Sequence, residues 1–346
     1  MRLACGCFII SPAMLERLAS HASLDAETRE AIANTQRLEP IWRKLRVAQA
    51  AASKAHQKAT RVETALAALP DAAAYNCSHT ENLPGTPVPN PKASSDQSVK
   101  NAFNEANGVA KFYHDCFGRD SVDGKGKTLV SSVHYGKKYD NAFWNGQQMV
   151  YGDGDGKLFV DFTRSNDVIG HELTHGVTQY TAGLTYTDQP GALNESISDV
   201  FGSMYRQWSA GQTADKADWL IGSGIMGPAA KQQGYTCLRD MADPGAKHCV
   251  SPQPVDYKHY IPHGDPHDNS GIPNRAFCLI AKTIGGHSWE KAGKVWYGAL
   301  TNKKATKSMK FKDFAHLTVA EAKRQFAADP SVAAAVTKGW KTVLVL

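Results

Sequence analysis

Apolar positions change rhythm several times along this chain. Residues 7–12, "CFIISP", form a short apolar run closed by a serine and a proline. A helical rhythm follows in "AMLERLA", then in "SLDAETREAIANTQRL" behind a Ser23 cap. After Pro40 comes "IWRKLRVAQAAASKAHQKATRVETALAAL", whose apolar stripe is reduced to Trp42, Leu45, Leu66 and Leu69. Helices with so narrow a stripe need a partner surface. Residues 70–95 hold five prolines and little periodicity, which places a boundary there. From Asp96 the chain predicts an amphipathic helix, then the strand-like runs "TLVSSVHYG", "QMVYG" and "KLFVDF" between Gly and Asp turns. "YGDGDGK" reads as a tight hairpin turn. An EF-hand starting at Asp153 would need Glu at its twelfth position, where Arg164 stands. From Gly183 onward the pattern is mostly helical. The expected class is α+β: a helical N-terminal segment over 1–73, a β-rich lobe over 74–182 and a helical lobe over 183–346.

Charge narrows the function classes. Of the formal +6, a surplus of four falls in residues 1–70, leaving +2 for the rest. Arg43, Lys44 and Arg46 read as the solvated face of a helix, without the aromatic interleaving of a nucleic-acid surface, so no nucleic-acid partner is expected. Seven scattered cysteines in a chain this long predict free buried thiols rather than a disulfide framework, although Cys237 and Cys249 could pair. No apolar stretch reaches membrane-span length. The first residues make a poor signal peptide, with one Arg, a brief apolar run and then Pro12, and "LAC" at residues 3–5 leaves no room for a lipoprotein signal. The expectation is a protein without a classical signal, cytoplasmic or secreted by a non-classical route.

The informative stretch is "DVIGHELTHGVTQ". On a helix His171 and His175 stand one above the other, so two imidazoles can bind one Zn²⁺, with Glu172 beside them. A catalytic zinc needs a third ligand from another element. In "GALNESISDVFG", Glu195 and Asp199 again share a helical face, Glu195 able to complete the ligand set and Asp199 to orient a ligand histidine. The alternative of an acidic surface face fits poorly with Ile197, Val200 and Phe201 on the same helix.

Through "HYGKKYDNAFWNGQQMVYGDGDG", "DVIGHELTHGVTQ", "GLTYTDQPGALNESISDVFG", "LRDMADP" and "HDNSGIPNRAF", in that order, residues 75–346 resemble a thermolysin-family metallopeptidase. The resemblance implies a two-lobed catalytic unit with a zinc cleft between the lobes. It implies His171, His175 and Glu195 as zinc ligands, Glu172 as the base for the attacking water, and Tyr186 and His267 as donors to the oxyanion. By the same resemblance Asn141, Ala142 and Trp144 would grip substrate backbone and Arg239 a substrate carbonyl. Phe159, Phe162, Val168 and Leu238 would line the pocket for a bulky apolar residue on the amine side of the cut.

Departures carry their own expectations. Where relatives place a double calcium site, Arg206, Leu220 and Ser223 replace carboxylates and only Asp167 and Asp218 remain, so that site should be absent. Pro262 stands where an acidic residue usually orients the second-lobe histidine, leaving Asp265 as a substitute. The missing signal and the short N-terminal segment resemble protealysin-like precursors, through Cys7, Ile9, Ile10 and Pro12. The function expected is a zinc-dependent neutral endopeptidase made as a proenzyme and acting on protein or peptide substrates. Its propeptide would be an intramolecular inhibitor. The runner-up, a non-catalytic zinc-stabilised binding protein on the same fold, would be expected to lose Glu172 or a ligand. A dozen extended residues reach about 40 Å, long enough to plug a cleft. Phe8, Ile9 and Ile10 would anchor that plug and Pro12 keep it extended; in a second version, Cys5 or Cys7 supplies a thiolate to the zinc.

Overall fold

The computed structural model describes residues 7–21, 24–56 and 72–346, residues 43–56 by backbone alone. Cys5, Ser23, Leu66 and Leu69 lie outside the described residues, as do the side chains of Arg43, Lys44, Leu45 and Arg46. The N-terminal part comprises β1 (Cys7–Phe8), α1 (Pro12–Ala19) and α2 (Ala26–His56). The first lobe adds β2 (Ala72–Asn76), β3 (Thr86–Pro87), α3 (Gln97–Phe117), β4 (Leu129–Val133), β5 (Ala142–Trp144), β6 (Met149–Tyr151) and α4 (Asn166–Tyr180). The second lobe runs through α5 (Asp188–Ser209), β7 (Leu220–Ile221), α6 (Pro228–Gln232), β8 (Arg239–Asp240), α7 (Pro266–Asn269), α8 (Gly271–Ile284), α9 (Ala292–Thr301), α10 (Phe311–Gln325) and α11 (Pro330–Thr342).

The sheet has the order β1-β5-β6-β4-β2-β3, and the N-terminal strand β1 covers the edge that β5 would otherwise expose. An open edge invites strand addition. Here the chain fills it with its own start.

Pro40 does not end a helix. It sits inside α2, giving up one backbone bond, because contacts on both sides hold the helix against the β-lobe. Glu39 accepts a 2.6 Å hydrogen bond from Asn141, and Trp42 Nε1 donates to Tyr135 Oη at 2.7 Å. The predicted strand "KLFVDF" also differs: Phe159 makes an isolated bridge to Met226, and Phe162–Arg164 form a 3₁₀ turn. Burial of both phenylalanines between the lobes outweighs the strand alternation. The "YGDGDGK" stretch is accordingly a loop, with Asp155 Oδ1 accepting from the backbone N–H groups of Lys157 and Leu158 at 2.9 and 2.8 Å, and not a hairpin turn.

The crossing of α4 and α5 sets the distance between the two halves of the site. A Cβ on Gly202 would stand 2.4 Å from the Asp167 carbonyl oxygen and 2.9 Å from the His171 nitrogen, and one on Gly170 would meet Gly202 Cα at 3.0 Å. Only glycine permits so close an approach.

Away from the cleft, His134 lies between two carboxylates, Nδ1 at 2.7 Å from Asp153 and Nε2 at 2.8 Å from Asp96, with His79 at 3.2 Å from Asp153. Asp153 and Asp96 outweigh the cost of burial and raise its pKa from 6.5 to about 9. The stabilisation is therefore full below the unfolded value and lost as pH rises from about 6.5 through about 9. His134→Gln in a proteolytically silent background should cost about 1 kcal/mol near pH 6, allowing for solvent screening, and nothing near pH 10. Urea unfolding at the two pH values checks this; a pH-independent difference would refute it.

Candidate active site

His171, Glu172 and His175 lie on α4, and Glu195 and Asp199 on α5, all buried. His171 Nε2 and His175 Nε2 are 3.0 Å apart; Glu195 Oε2 lies 3.3 Å from the first and its Oε1 3.5 Å from the second. Donors at the corners of a tetrahedron with bonds of 2.0–2.1 Å are about 3.3 Å apart, so this His₂Glu set fits Zn²⁺. Two buried carboxylate oxygens, Glu195 Oε2 and Glu172 Oε1, have no hydrogen-bond partner, as expected around a cation or its water.

Each imidazole is held from behind. His171 Nδ1 meets Asp199 Oδ1 at 2.8 Å, as the helical spacing predicts. His175 Nδ1 meets Asn194 Oδ1 at 2.9 Å and Ser198 Oγ at 3.0 Å, partners the sequence reading passed over although they flank Glu195 and Asp199. Asp199 is clamped by Arg239, Nε to Oδ2 at 2.8 Å and Nη2 to Oδ1 at 2.7 Å, and by Asn274 Nδ2 at 2.8 Å. Burial alone would raise the Asp199 pKa, but Arg239 and His171 pull it well below the usual carboxylate range. Burial likewise opposes the charge on Glu195, and His267, His175 and His171 outweigh it. Glu172 goes the other way: burial and Glu195 push it up to about 8. Its Oε2 accepts the Trp144 backbone N–H at 2.9 Å.

On the facing wall, Tyr186 donates to Glu195 Oε1 and lies 3.4 Å from His267 Nε2. Asp265, not a residue at position 262, orients His267, Oδ1 to Nδ1 at 2.6 Å. It does so from the N-cap of α7, a role its position two residues before His267 permits. Glu195 and Asp265 outweigh burial and raise the His267 pKa. Phe159, Phe162, Val168 and Leu238 are all fully buried in one continuous apolar core that also includes Ile9.

The N-terminal strand lies along these groups. Cys7 pairs with Trp144 and Phe8 with Phe143, antiparallel. Ile9 N donates to Ala142 O at 3.1 Å, Ile10 N to Asn141 Oδ1 at 3.0 Å, and Asn141 Nδ2 to Ile10 O at 2.9 Å. His267 Nε2 donates to Phe8 O at 2.8 Å and Arg239 Nη1 to Ile9 O at 3.2 Å. Two details, at Pro12 and Cys7, differ from expectation. Pro12 does not extend the plug but opens α1, where its missing N–H costs nothing, with Ser11 as the cap. Phe8 is anchored in an apolar cluster beside the cleft, packed on Phe143 with ring centroids 5.0 Å apart and facing away from Ile9, because alternate strand residues face opposite ways. Cys7 is disulfide-bonded, and its sulfur lies within 4.8 Å of donor atoms of His175 and Glu195.

Known families and proteins match most of the chain. Residues 43–179 match the family description "Thermolysin metallopeptidase, catalytic domain" and residues 182–345 "Thermolysin metallopeptidase, alpha-helical domain". The chain is 44% identical over 280 residues to "Extracellular metalloprotease" of Pectobacterium carotovorum, covering 78% of this chain and 79% of that one. It is 44% identical over 282 residues to "Protease PrtS" of a Photorhabdus species, covering 78% and 75%. Among solved structures it resembles the precursor of protealysin, a metalloproteinase from Serratia proteamaculans, with TM-score 0.84, 40% identity and coverage of 98% and 100%.

Proposed function

The chain belongs to the thermolysin family of metallopeptidases, and from that premise we propose that this metalloendopeptidase is held latent by its own N-terminal strand, bound in the register of a substrate. The observation that carries the reading is the Phe8 carbonyl hydrogen-bonded to His267, the expected oxyanion donor. That contact supports reading the Phe8–Ile9 bond as the counterpart of a scissile bond. Ile9 and Ile10 then occupy the amine side, gripped by Ala142, Asn141 and Arg239. Residues 1–73 would be the propeptide, 74–182 and 183–346 the two catalytic lobes.

His171, His175 and Glu195 would hold zinc, and when bound there the ion supplies Lewis acidity to water and to the scissile carbonyl. Glu172, anchored by Trp144 N–H through one oxygen, keeps the other for a proton taken from water and returned to the leaving amine. His267 and Tyr186 donate to the carbonyl oxygen as charge grows on it. Asp199, Asn194 and Ser198 fix the rings of the ligand histidines.

Phe159, Phe162, Val168 and Leu238 favour a bulky apolar residue after the cut, as Ile9 is, since burying one such side chain contributes about 1.5–3 kcal/mol. The test is a peptide library digested by the chain freed of residues 1–73. Cleavage before Leu, Ile or Phe should exceed cleavage before Asp by at least tenfold; equal rates would sink the reading.

Calcium is not proposed at the position relatives use. What supports this is Arg206, which pairs with Asp218 and lies 3.5 Å from Asp167 Oδ2 and 3.3 Å from Ser223 Oγ, so that a cation of the chain's own already neutralises the remaining carboxylates. A calcium-selective chelator should leave the melting temperature of the zinc-loaded protein unchanged, and a fall of many degrees would refute this. One relative is named extracellular, and we include release from the cell in the proposal. Among the described residues no helix is long and apolar enough to cross a membrane.

A further inference from the structure

The loop that delivers Leu238 and Arg239 to the cleft is tied at its neck. Thr236 N donates to His248 O at 2.9 Å and Val250 N to Cys237 O at 3.0 Å, so residues 237 and 249 meet as bridge partners. Their sulfurs are 3.6 Å apart and both residues are fully buried. Donor atoms of Cys237, His248 and Cys249 all fall within 4.8 Å of one another. His248 Nε2 is buried without a hydrogen-bond partner, 3.3 Å from Asp240 Oδ2.

We propose that Cys237, His248 and Cys249, with Asp240 beside them, form a second metal site for a divalent ion of the zinc class, distinct from the catalytic one. The sulfur spacing, at which one thiol can also donate to the other, is compatible with it. Two thiolates bound at about 2.3 Å in tetrahedral geometry stand roughly 3.8 Å apart, close to the 3.6 Å seen, whereas a disulfide needs about 2.05 Å. On binding, each thiol releases one proton to solvent as its metal–sulfur bond forms. The single exposed flank is His248, which leaves the ion a path in from the surface. Such a clip would fix the wall that carries Arg239, far along the sequence from the helices that hold the catalytic ligands.

The test uses the full chain carrying Glu172→Ala to prevent self-digestion, purified without chelator. Elemental analysis should find a second zinc equivalent that Cys237→Ser/Cys249→Ser removes while the first remains. After cobalt exchange, a thiolate-to-cobalt absorption band should survive Cys7→Ser and vanish in the Cys237→Ser/Cys249→Ser variant. Three results overturn the proposal: a single equivalent that this variant retains, a band that it does not affect, or a parent whose Cys237 and Cys249 resist thiol reagents and weigh two hydrogens less, which means a disulfide. If instead the only equivalent present is lost in that variant and kept on His171→Ala, the catalytic-site reading fails and this one stands.

Discussion

Glu172→Gln should lower peptide hydrolysis by on the order of 10²–10⁴-fold while leaving the zinc content unchanged. Gln has the same volume, and its amide oxygen can still accept the Trp144 backbone N–H that holds Glu172 Oε2 at 2.9 Å. What it lacks is an oxygen basic enough to take a proton. The other oxygen, Oε1, is buried with no hydrogen-bond partner, which is where that proton would go. The measurement is kcat/KM on an apolar peptide, with elemental analysis of the same samples after removal of residues 1–73. If the variant cuts at the parental rate, Glu172 is not the base; if it loses zinc, the experiment has removed a ligand instead.

A second large effect is expected at Arg239, this time on stability. Arg239 and Asp199 are both fully buried, joined by two short hydrogen bonds. Arg239→Met keeps the apolar bulk and strands a buried carboxylate whose remaining partners are His171 and Asn274. Breaking a buried pair from one side costs about 3–5 kcal/mol. Urea unfolding of the Glu172→Ala chain with and without Arg239→Met measures it, and adding Asp199→Asn should recover part of the loss by removing the stranded charge. A cost below about 1 kcal/mol would mean the pair is not what holds Asp199. The same variant also removes the donor to Ile9 O, so it should weaken the grip on the N-terminal strand.

The parts of this site that could be read in the sequence are those whose geometry is local. His171 and His175, like Glu195 and Asp199, are four residues apart on helices, and a helix turns that spacing into one face without help from the rest of the fold. Asn194 and Ser198 were within reach of the same reasoning but carry no charge to draw attention. Asp265 was only half legible: its nearness to His267 in sequence suggested the pair, and the N-cap geometry of α7 is what makes it. Non-local pairing was not legible. That Phe8 would sit opposite Phe143, with its carbonyl on His267, depends on contacts more than a hundred residues apart. Pro40 misled for a related reason, since the tertiary contacts of Glu39 and Trp42 decide the course of α2. "KLFVDF" misled because its apolar residues are buried between lobes and not on a pleated surface.

If the strand along β5 is the inhibitor proposed above, latency would depend on covalent connection. A segment joined to the domain it inhibits meets its site at an effective concentration in the millimolar range, so modest intrinsic affinity keeps it in place. Once any bond between strand and catalytic lobes is cut, the same contacts must compete at the concentration of the free peptide. Affinity is unchanged, and occupancy falls with dilution. On that reading the main-chain hydrogen bonds of Ile9 and Ile10 would not need to be weakened for the enzyme to switch on; the tether would decide whether they are enough.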